Sequence, residues 1–260
     1  MMRFIAVLLL AVAWPVFAVH AQDAATAFEH YQTGDYEGAI RIGEAANNGP
    51  GLAVAARAAF AAANLRDTPC LSCLQRVEAL ARRSIMLDMT NPDAFVYLAA
   101  ALGYESRIIG YVRATVQNYP QMAKQAIDRA LRDNPNDAWS LAALGGWHME
   151  IVRNGGSLVA RTLYGARADA GEDAFRRAFA ADPGNLVIRL QYVLSVAAFD
   201  LNRYRDEIAG QLATIAMTQP RTAYETAMKQ RAARLQDLLK PGRNADFLAL
   251  IKKYQGYPEA

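Results

Sequence analysis

Apolar residues recur along this chain at the spacing of an α-helix, and prolines interrupt the recurrence. One set, ahead of an Asn-Pro-Asn-Asp turn at residues 134–137, comprises Ala123, Ile127, Ala130 and Leu131. These positions fall on one helix face. The turn ends that helix because the residue before a proline is disfavoured in the α region, and the aspartate can cap the next helix. No alternating run of β-branched residues lies between turns, so the sequence predicts an all-α fold.

The same apolar register returns before other proline turns. The equivalent sets are Gly171, Phe175, Ala178 and Phe179 before Pro183, and Ile208, Leu212, Ile215 and Ala216 before Pro220. Units are therefore predicted to end near Pro50, Pro92, Pro135, Pro183 and Pro220. Together they would make residues 22–260 one helical repeat domain. A further apolar helix at residues 244–254 would cap its last face, as repeat stacks require.

A short motif indicates which kind of repeat this is. Residues 34–39, Gly-Asp-Tyr-Glu-Gly-Ala, have the form G-x-Y-x-x-A. This motif resembles the tetratricopeptide repeat (TPR) family, which implies a TPR-like α-solenoid of stacked antiparallel helix pairs. The units here are about 40 residues long, whereas a TPR has about 34. The difference predicts inserted helical segments at residues 109–121 and 154–170.

A second resemblance concerns the segment from Leu144 onward, L-G-x-W-x-x-E-I followed by a short helix and A-F-x-x-A. It resembles TPR-like proteins described as regulators of microtubule dynamics. It is also similar to the TPR proteins associated with TRAP-type transporters, which are commonly lipoproteins. No cysteine lies near the expected cleavage site of this chain, which argues against a lipid anchor.

The N-terminal residues 1–21 have the pattern of a signal peptide. Arg3 precedes an apolar run at residues 4–14, and small residues allow cleavage after Ala18 or Ala21. The run is shorter than the roughly 20 residues of a membrane span, so no stable span is expected after cleavage. The alternative is an uncleaved anchor or a buried first helix. The protein is therefore predicted to be exported, either periplasmic or secreted.

Cys70 and Cys73 are the only cysteines. Export favours a structural disulfide between them. Free thiols, or a redox or metal role, are the alternatives. Two cysteines with distant histidines fall short of the four ligands of a zinc site, and a C-x-x-C-H haem motif is absent. No metal or other cofactor is therefore predicted.

Composition and motifs argue against two broad function classes. The net charge is +3, and basic and acidic residues are interspersed rather than clustered into a nucleic-acid-binding stripe. The motifs G-x-S-x-G, H-E-x-x-H and the phosphate-binding loop are all missing. The sequence therefore predicts neither nucleic-acid binding nor catalysis.

The TPR resemblance also suggests a binding face, since the first helix of each pair lines the ligand groove in that family. The register places Val96, Ala99, Gly103, Ser106 and Arg107 on this face, together with Trp139, Ala142, Gly146, Met149 and Glu150. Insertions in repeat proteins often cluster at the binding face. The two insertions would thus bring Tyr111, Arg113, Tyr119, Arg161, Tyr164 and Arg167 near the mouth of the groove. Alternatively, the insertions only lengthen helices and pack together.

Two functions remain open from the sequence. The first is an exported scaffold that binds a protein or peptide and that could also self-associate. Its candidate groove residues are Arg107, Trp139, Gly146, Met149, Glu150, Arg161 and Tyr164. The second is a small-molecule-binding accessory protein of a transporter, with a pocket enclosed by the inserted segments. A closed apolar pocket would favour the second function, and an open groove would favour the first.

Overall fold

A computed structural model describes the backbone of residues 15–258 and the side chains of residues 22–258. Every regular element in that range is helical, so the predicted all-α class is confirmed. The helices are α1 (Pro15–Thr33), α2 (Tyr36–Ala46), α3 (Gly49–Asn64), α4 (Leu71–Leu87), α5 (Pro92–Ile109), α6 (Tyr111–Val116), α7 (Tyr119–Asp133), α8 (Ala138–Val159), α9 (Ala168–Ala181), α10 (Leu186–Asp200), α11 (Arg205–Met217), α12 (Ala223–Leu238) and α13 (Asn244–Tyr254). A π-helical turn, Ala160–Tyr164, follows α8 directly. Most of the predicted signal peptide at residues 1–21 lies outside the described residues.

Short polar side chains determine where several helices begin. The Asp137 carboxylate accepts a hydrogen bond from the Ser140 backbone N–H at 2.7 Å, and α8 starts at the next residue. Asn91 and Asn185 cap α5 and α10 with their side-chain oxygens in the same way. Each cap satisfies an N–H group that a helix start leaves without an intrahelical partner. The predicted helix, turn and helix over residues 123–150 is therefore present.

Successive helices pack against each other along the chain, with α2 on α3, α3 on α4, α4 on α5, α5 on α7 and α8 on α9. The close packing of α8 on α9 depends on a glycine. A Cβ atom at Gly145 would lie 2.5 Å from Cδ2 of Phe175, which is fully buried. Helix α13 packs against α10 and α12.

The early and late helices also meet, because α1 contacts α12. A polar network around Asn64 joins the same regions. The Asn64 side-chain oxygen accepts hydrogen bonds from Tyr224 Oη at 3.0 Å and Arg231 Nη1 at 2.9 Å. Its amide nitrogen donates to Tyr104 Oη at 3.0 Å. These contacts bring α3, α5 and α12 around a common interior.

The two predicted insertions form α6 and the segment after the body of α8. Gly156, with φ of +72°, breaks α8, and the π-helical turn then ends at Gly165, with φ of +66°. The segments meet at Tyr111, whose Oη lies 3.3 Å from the position of a Cβ at Gly155. Burial raises the pKa of the Tyr111 phenol, and the neighbouring Tyr164 phenol raises it further. We call α6 and residues 154–165 together the insertion edge.

The cysteine pair lies at the start of α4. The two sulfur atoms are 2.00 Å apart, the distance of a disulfide bond, as the sequence predicts. Cys70 occupies the N-cap position of α4. None of the described helices is long and apolar enough to cross a membrane.

Candidate functional site

The helices surround a cavity of about 230 Å³. Helices α5 and α8 form two of its walls, and α10 forms a third. Eleven aromatic residues line it: Tyr31, Phe60, Tyr97, Tyr104, Tyr111, Tyr119, Trp139, Trp147, Phe175, Tyr224 and Tyr257. They come from eight helices and from the segment after α13. Mainly apolar walls with a few polar groups are typical of small-molecule sites.

Two glycines create room between the helices. Gly103 of α5 and Gly146 of α8 both line the cavity. A Cβ atom at Gly103 would meet no atom within 4 Å, and one at Gly146 would meet only Ser195 Oγ, at 3.8 Å. Side chains at these positions would therefore extend into the cavity rather than into a packed core.

One ion pair joins two of the walls, with side-chain exposures of 13% for Arg107 and 19% for Glu150. Arg107 Nε donates to the two Glu150 carboxylate oxygens at 2.9 and 3.0 Å, and Arg107 Nη2 donates to the same carboxylate. Burial acts to raise the pKa of Glu150, but the charge and hydrogen bonds of Arg107, with help from Arg153, hold it below its usual value. The pair is therefore ionised, and its charges offset each other inside the cavity wall.

The segment after α13 closes over this ion pair. Arg107 Nη1 donates to the Gln255 carbonyl at 2.9 Å, and Tyr257 Oη donates to Glu150 Oε1 at 3.1 Å. The Gln255 side chain donates to the Leu194 carbonyl at 3.0 Å, which fixes the segment on α10. The segment after α13 thus forms part of the cavity wall through Tyr257.

A few polar groups in the cavity have no hydrogen-bond partner in the part of the chain that the structure describes. Gln191 and Ser195 of α10 are half-buried and line the cavity, as does Trp139 of α8. Among the described residues, none of these three side chains makes a hydrogen bond. They can therefore donate to or accept from a bound molecule.

The structure brings together four of the seven candidate groove residues. Arg107, Trp139, Gly146 and Glu150 all line the cavity. Met149 is buried and lies instead at a small adjoining pocket next to Arg153 and Gln255. Arg161 is exposed and Tyr164 is half-buried, and neither lines the cavity.

Several lining residues were not predicted, and they come from distant parts of the chain. Tyr31 lies on α1, Phe60 on α3, Tyr224 on α12, and Tyr257 after α13. The repeat register relates only neighbouring units, so it carries no signal for contacts between the first and last helices.

Trp147 and His148 have structural contacts. Trp147 Nε1 donates to the Pro120 carbonyl at 2.8 Å, and His148 Nδ1 accepts from the Arg167 backbone N–H at 3.2 Å. Burial lowers the pKa of His148 to about 4, and the nearby cations Lys124 and Arg167 contribute. The imidazole is therefore neutral at physiological pH and acts as an acceptor.

A second perturbed group, Glu105, lies on α5 and is fully buried. Burial, and then the charge of the nearby Glu78, raise its pKa to about 7. A hydrogen bond from Tyr119 acts in the opposite direction. Tyr119 Oη donates to Glu105 Oε2 at 3.3 Å. Glu105 does not line the cavity.

The described part of the chain contains no group of three or more His, Cys, Asp or Glu residues that could hold a metal ion. Comparison with known proteins adds no assignment: no family model matches the sequence, and no curated protein matches it. The cavity geometry is thus the main functional observation.

Proposed function

We propose that the protein binds a small, neutral and largely aromatic molecule in the cavity and that it is not an enzyme. The observation that carries the proposal is the partly enclosed, aromatic-lined cavity of about 230 Å³. An engineered apolar cavity of about 150 Å³ holds benzene, so this one has room for a ligand of about two rings. Of the two functions open from the sequence, the cavity favours small-molecule binding over a protein or peptide scaffold.

The charges at the cavity support a neutral ligand. Arg107 is already paired with Glu150, so a charged ligand would bring an uncompensated charge into an apolar site. Gln191, Ser195 and Trp139 offer hydrogen bonds that could orient one or two polar atoms of the ligand.

A TPR-like solenoid is the architecture that we propose for the helices. Support comes from the repeated apolar register and from the packing of successive helices. The contact between α1 and α12 would make it a closed stack rather than an open superhelix.

The binding proposal can be tested with 6-propionyl-2-(dimethylamino)naphthalene, a neutral two-ring probe whose emission shifts to the blue in apolar sites. We expect the wild-type chain to bind it and Gly103→Leu to lose at least tenfold in affinity, because the new side chain fills the cavity. Gly210→Leu on α11 is the matched control, since a Cβ there meets nothing within 4 Å and Gly210 does not line the cavity. Unchanged affinity in a folded Gly103→Leu protein would place the probe elsewhere and refute the proposal.

We also propose that the chain is exported, on the basis of its signal-like N-terminus and its cysteine pair. Oxidation of Cys70 and Cys73 to a disulfide is the expected consequence, because cysteines this close in sequence pair in an oxidising compartment. Mass spectrometry of alkylated protein from the cell envelope or the medium should show no alkylated cysteine. Two alkylated thiols in that fraction would contradict the assigned compartment.

A further inference from the structure

Exposed apolar side chains concentrate on the insertion edge. Five of the large hydrophobic residues that the described structure exposes lie there: Val112, Val116, Leu158, Val159 and Leu163. They are between 43% and 81% exposed. The four others lie near the end of α4 and at Met217. Solvent exposure of so many branched side chains in two short adjacent segments is costly unless a partner covers them.

The charges on the same edge are all positive. The sequence has no acidic residue between Arg107 and Asp128, or between Glu150 and Asp169. Arg113 of α6 is exposed, and so is Arg161 of the π-helical turn. Neither has an ion-pair partner among the described residues. An apolar surface flanked by unpaired cations is complementary to an anionic lipid surface, which offers phosphates above an apolar interior.

The edge also coincides with the exposed part of the cavity wall. Among the described residues that line the cavity, only Gly110, directly before α6, and Asn154, within the insertion edge, are exposed. Each belongs to one of the two predicted insertions. A surface covering this edge would therefore face the place where the cavity wall reaches solvent.

We propose that the insertion edge docks on an anionic phospholipid bilayer, with its branched side chains among the acyl chains and Arg113 and Arg161 at the headgroups. The docking does not depend on the identity of the cavity ligand. If an apolar ligand does occupy the cavity, docking would let it pass between cavity and bilayer with little exposure to water. A protein partner is the competing occupant, but the charged groups of this edge are all cations, which favours a surface that carries many phosphates.

A site-specific probe tests the proposal in the full chain, independently of its apolar N-terminus. In the Val116→Cys variant, the new thiol is free to carry a nitrobenzoxadiazole fluorophore, because the native cysteines are paired. Met217→Cys is the matched control, since Met217 is equally exposed but lies on α11, away from the edge. Vesicles of equimolar phosphatidylglycerol and phosphatidylcholine should blue-shift the probe and raise its emission at least twofold at residue 116, and should change neither at residue 217.

Charge variants test whether Arg113 and Arg161 bind the lipid headgroups. Arg113→Gln combined with Arg161→Gln should weaken vesicle binding roughly 20- to 30-fold, since each cation near an anionic surface contributes about fivefold. Arg41→Gln combined with Arg132→Gln removes the same net charge from exposed positions elsewhere and should have a much smaller effect. The proposal is overturned if the residue-116 probe does not respond to anionic vesicles, or if it responds equally to pure phosphatidylcholine. It is also overturned if the probe shifts only with a lipid-free protein fraction, which would identify a protein partner.

Discussion

Glu105 and His148 should give the stability of this protein opposing dependences on pH. Folding raises the pKa of Glu105 from 4.5 to about 7, so between those values the folded state holds a proton that the unfolded chain has released. The contribution of Glu105 is therefore full below pH 4.5 and is lost as the pH rises through 7. Folding lowers the pKa of His148 from 6.5 to about 4, so its contribution is full above pH 6.5 and is lost as the pH falls through 4.

The magnitudes follow from the size of the two shifts. Each pKa unit corresponds to about 1.4 kcal/mol, and relaxation of the site reduces the effect, so we expect about 1–3 kcal/mol from each group. Because the signs are opposite and the windows overlap, the wild-type protein should have a nearly flat profile between pH 4.5 and 8. Glu105→Gln removes the pH-dependent contribution of Glu105, so the contribution of His148 should then determine the shape of the profile. The variant should gain about 1–3 kcal/mol of unfolding free energy at pH 8 relative to pH 4.5.

Urea unfolding followed by circular dichroism at a series of pH values measures this difference directly. His148→Gln should show the reverse trend, with stability falling as the pH rises. Glu29→Gln is a suitable control, since Glu29 is exposed and forms no ion pair among the described residues. If Glu105→Gln leaves the shape of the profile unchanged, then Glu105 is not protonated in the folded state and the reasoning from its burial fails.

Two further predictions concern the packing of the helices. Gly145→Ala should destabilise the protein by about 1–3 kcal/mol, because its Cβ would lie 2.5 Å from Phe175, whereas Gly210→Ala in open space should stabilise it by up to about 1 kcal/mol. Thermal unfolding of both variants measures these changes in stability. An unchanged midpoint for Gly145→Ala would show that α9 can shift to accept the added methyl group. Asn64→Ala should cost about 2–3 kcal/mol, since it removes three side-chain hydrogen bonds between early and late helices. A loss under 0.5 kcal/mol in denaturant titration would mean that this network is not maintained in solution.

The walls formed by α5 and α8 could be predicted from the sequence, because local periodicity determines which residues share a helix face. Counting from the proline turns placed Arg107, Trp139 and Glu150 on one face, and in the structure all three line the cavity. The same count failed at Met149, which is buried beside the wall rather than in it. Adjacent residues on a helix are about 100° apart, so an error of one position changes which surface a side chain reaches.

The closure of the cavity could not be predicted in this way. Tyr31 and Tyr224 meet the interior only because α1 returns to α12, and Tyr257 only because the segment after α13 binds Arg107. Such contacts join residues far apart in sequence, and no local pattern encodes them. The π-helical turn after Gly156 was likewise expected only as a short helix, since a segment of 5 residues is too short for its apolar pattern to distinguish a π-helix from an α-helix.

The contact between α1 and α12 limits how this protein can change in evolution. In an open stack, duplicating or deleting a helix pair adds or removes one interface and leaves the others intact. Here, a change in the number of pairs would separate α1 from α12 and Asn64 from its two partners on α12. Growth is then restricted to positions within a unit that project away from the interior. The exposed faces of α6 and of the π-helical turn have that placement, so related chains should differ in the length of these segments more than in the number of helix pairs.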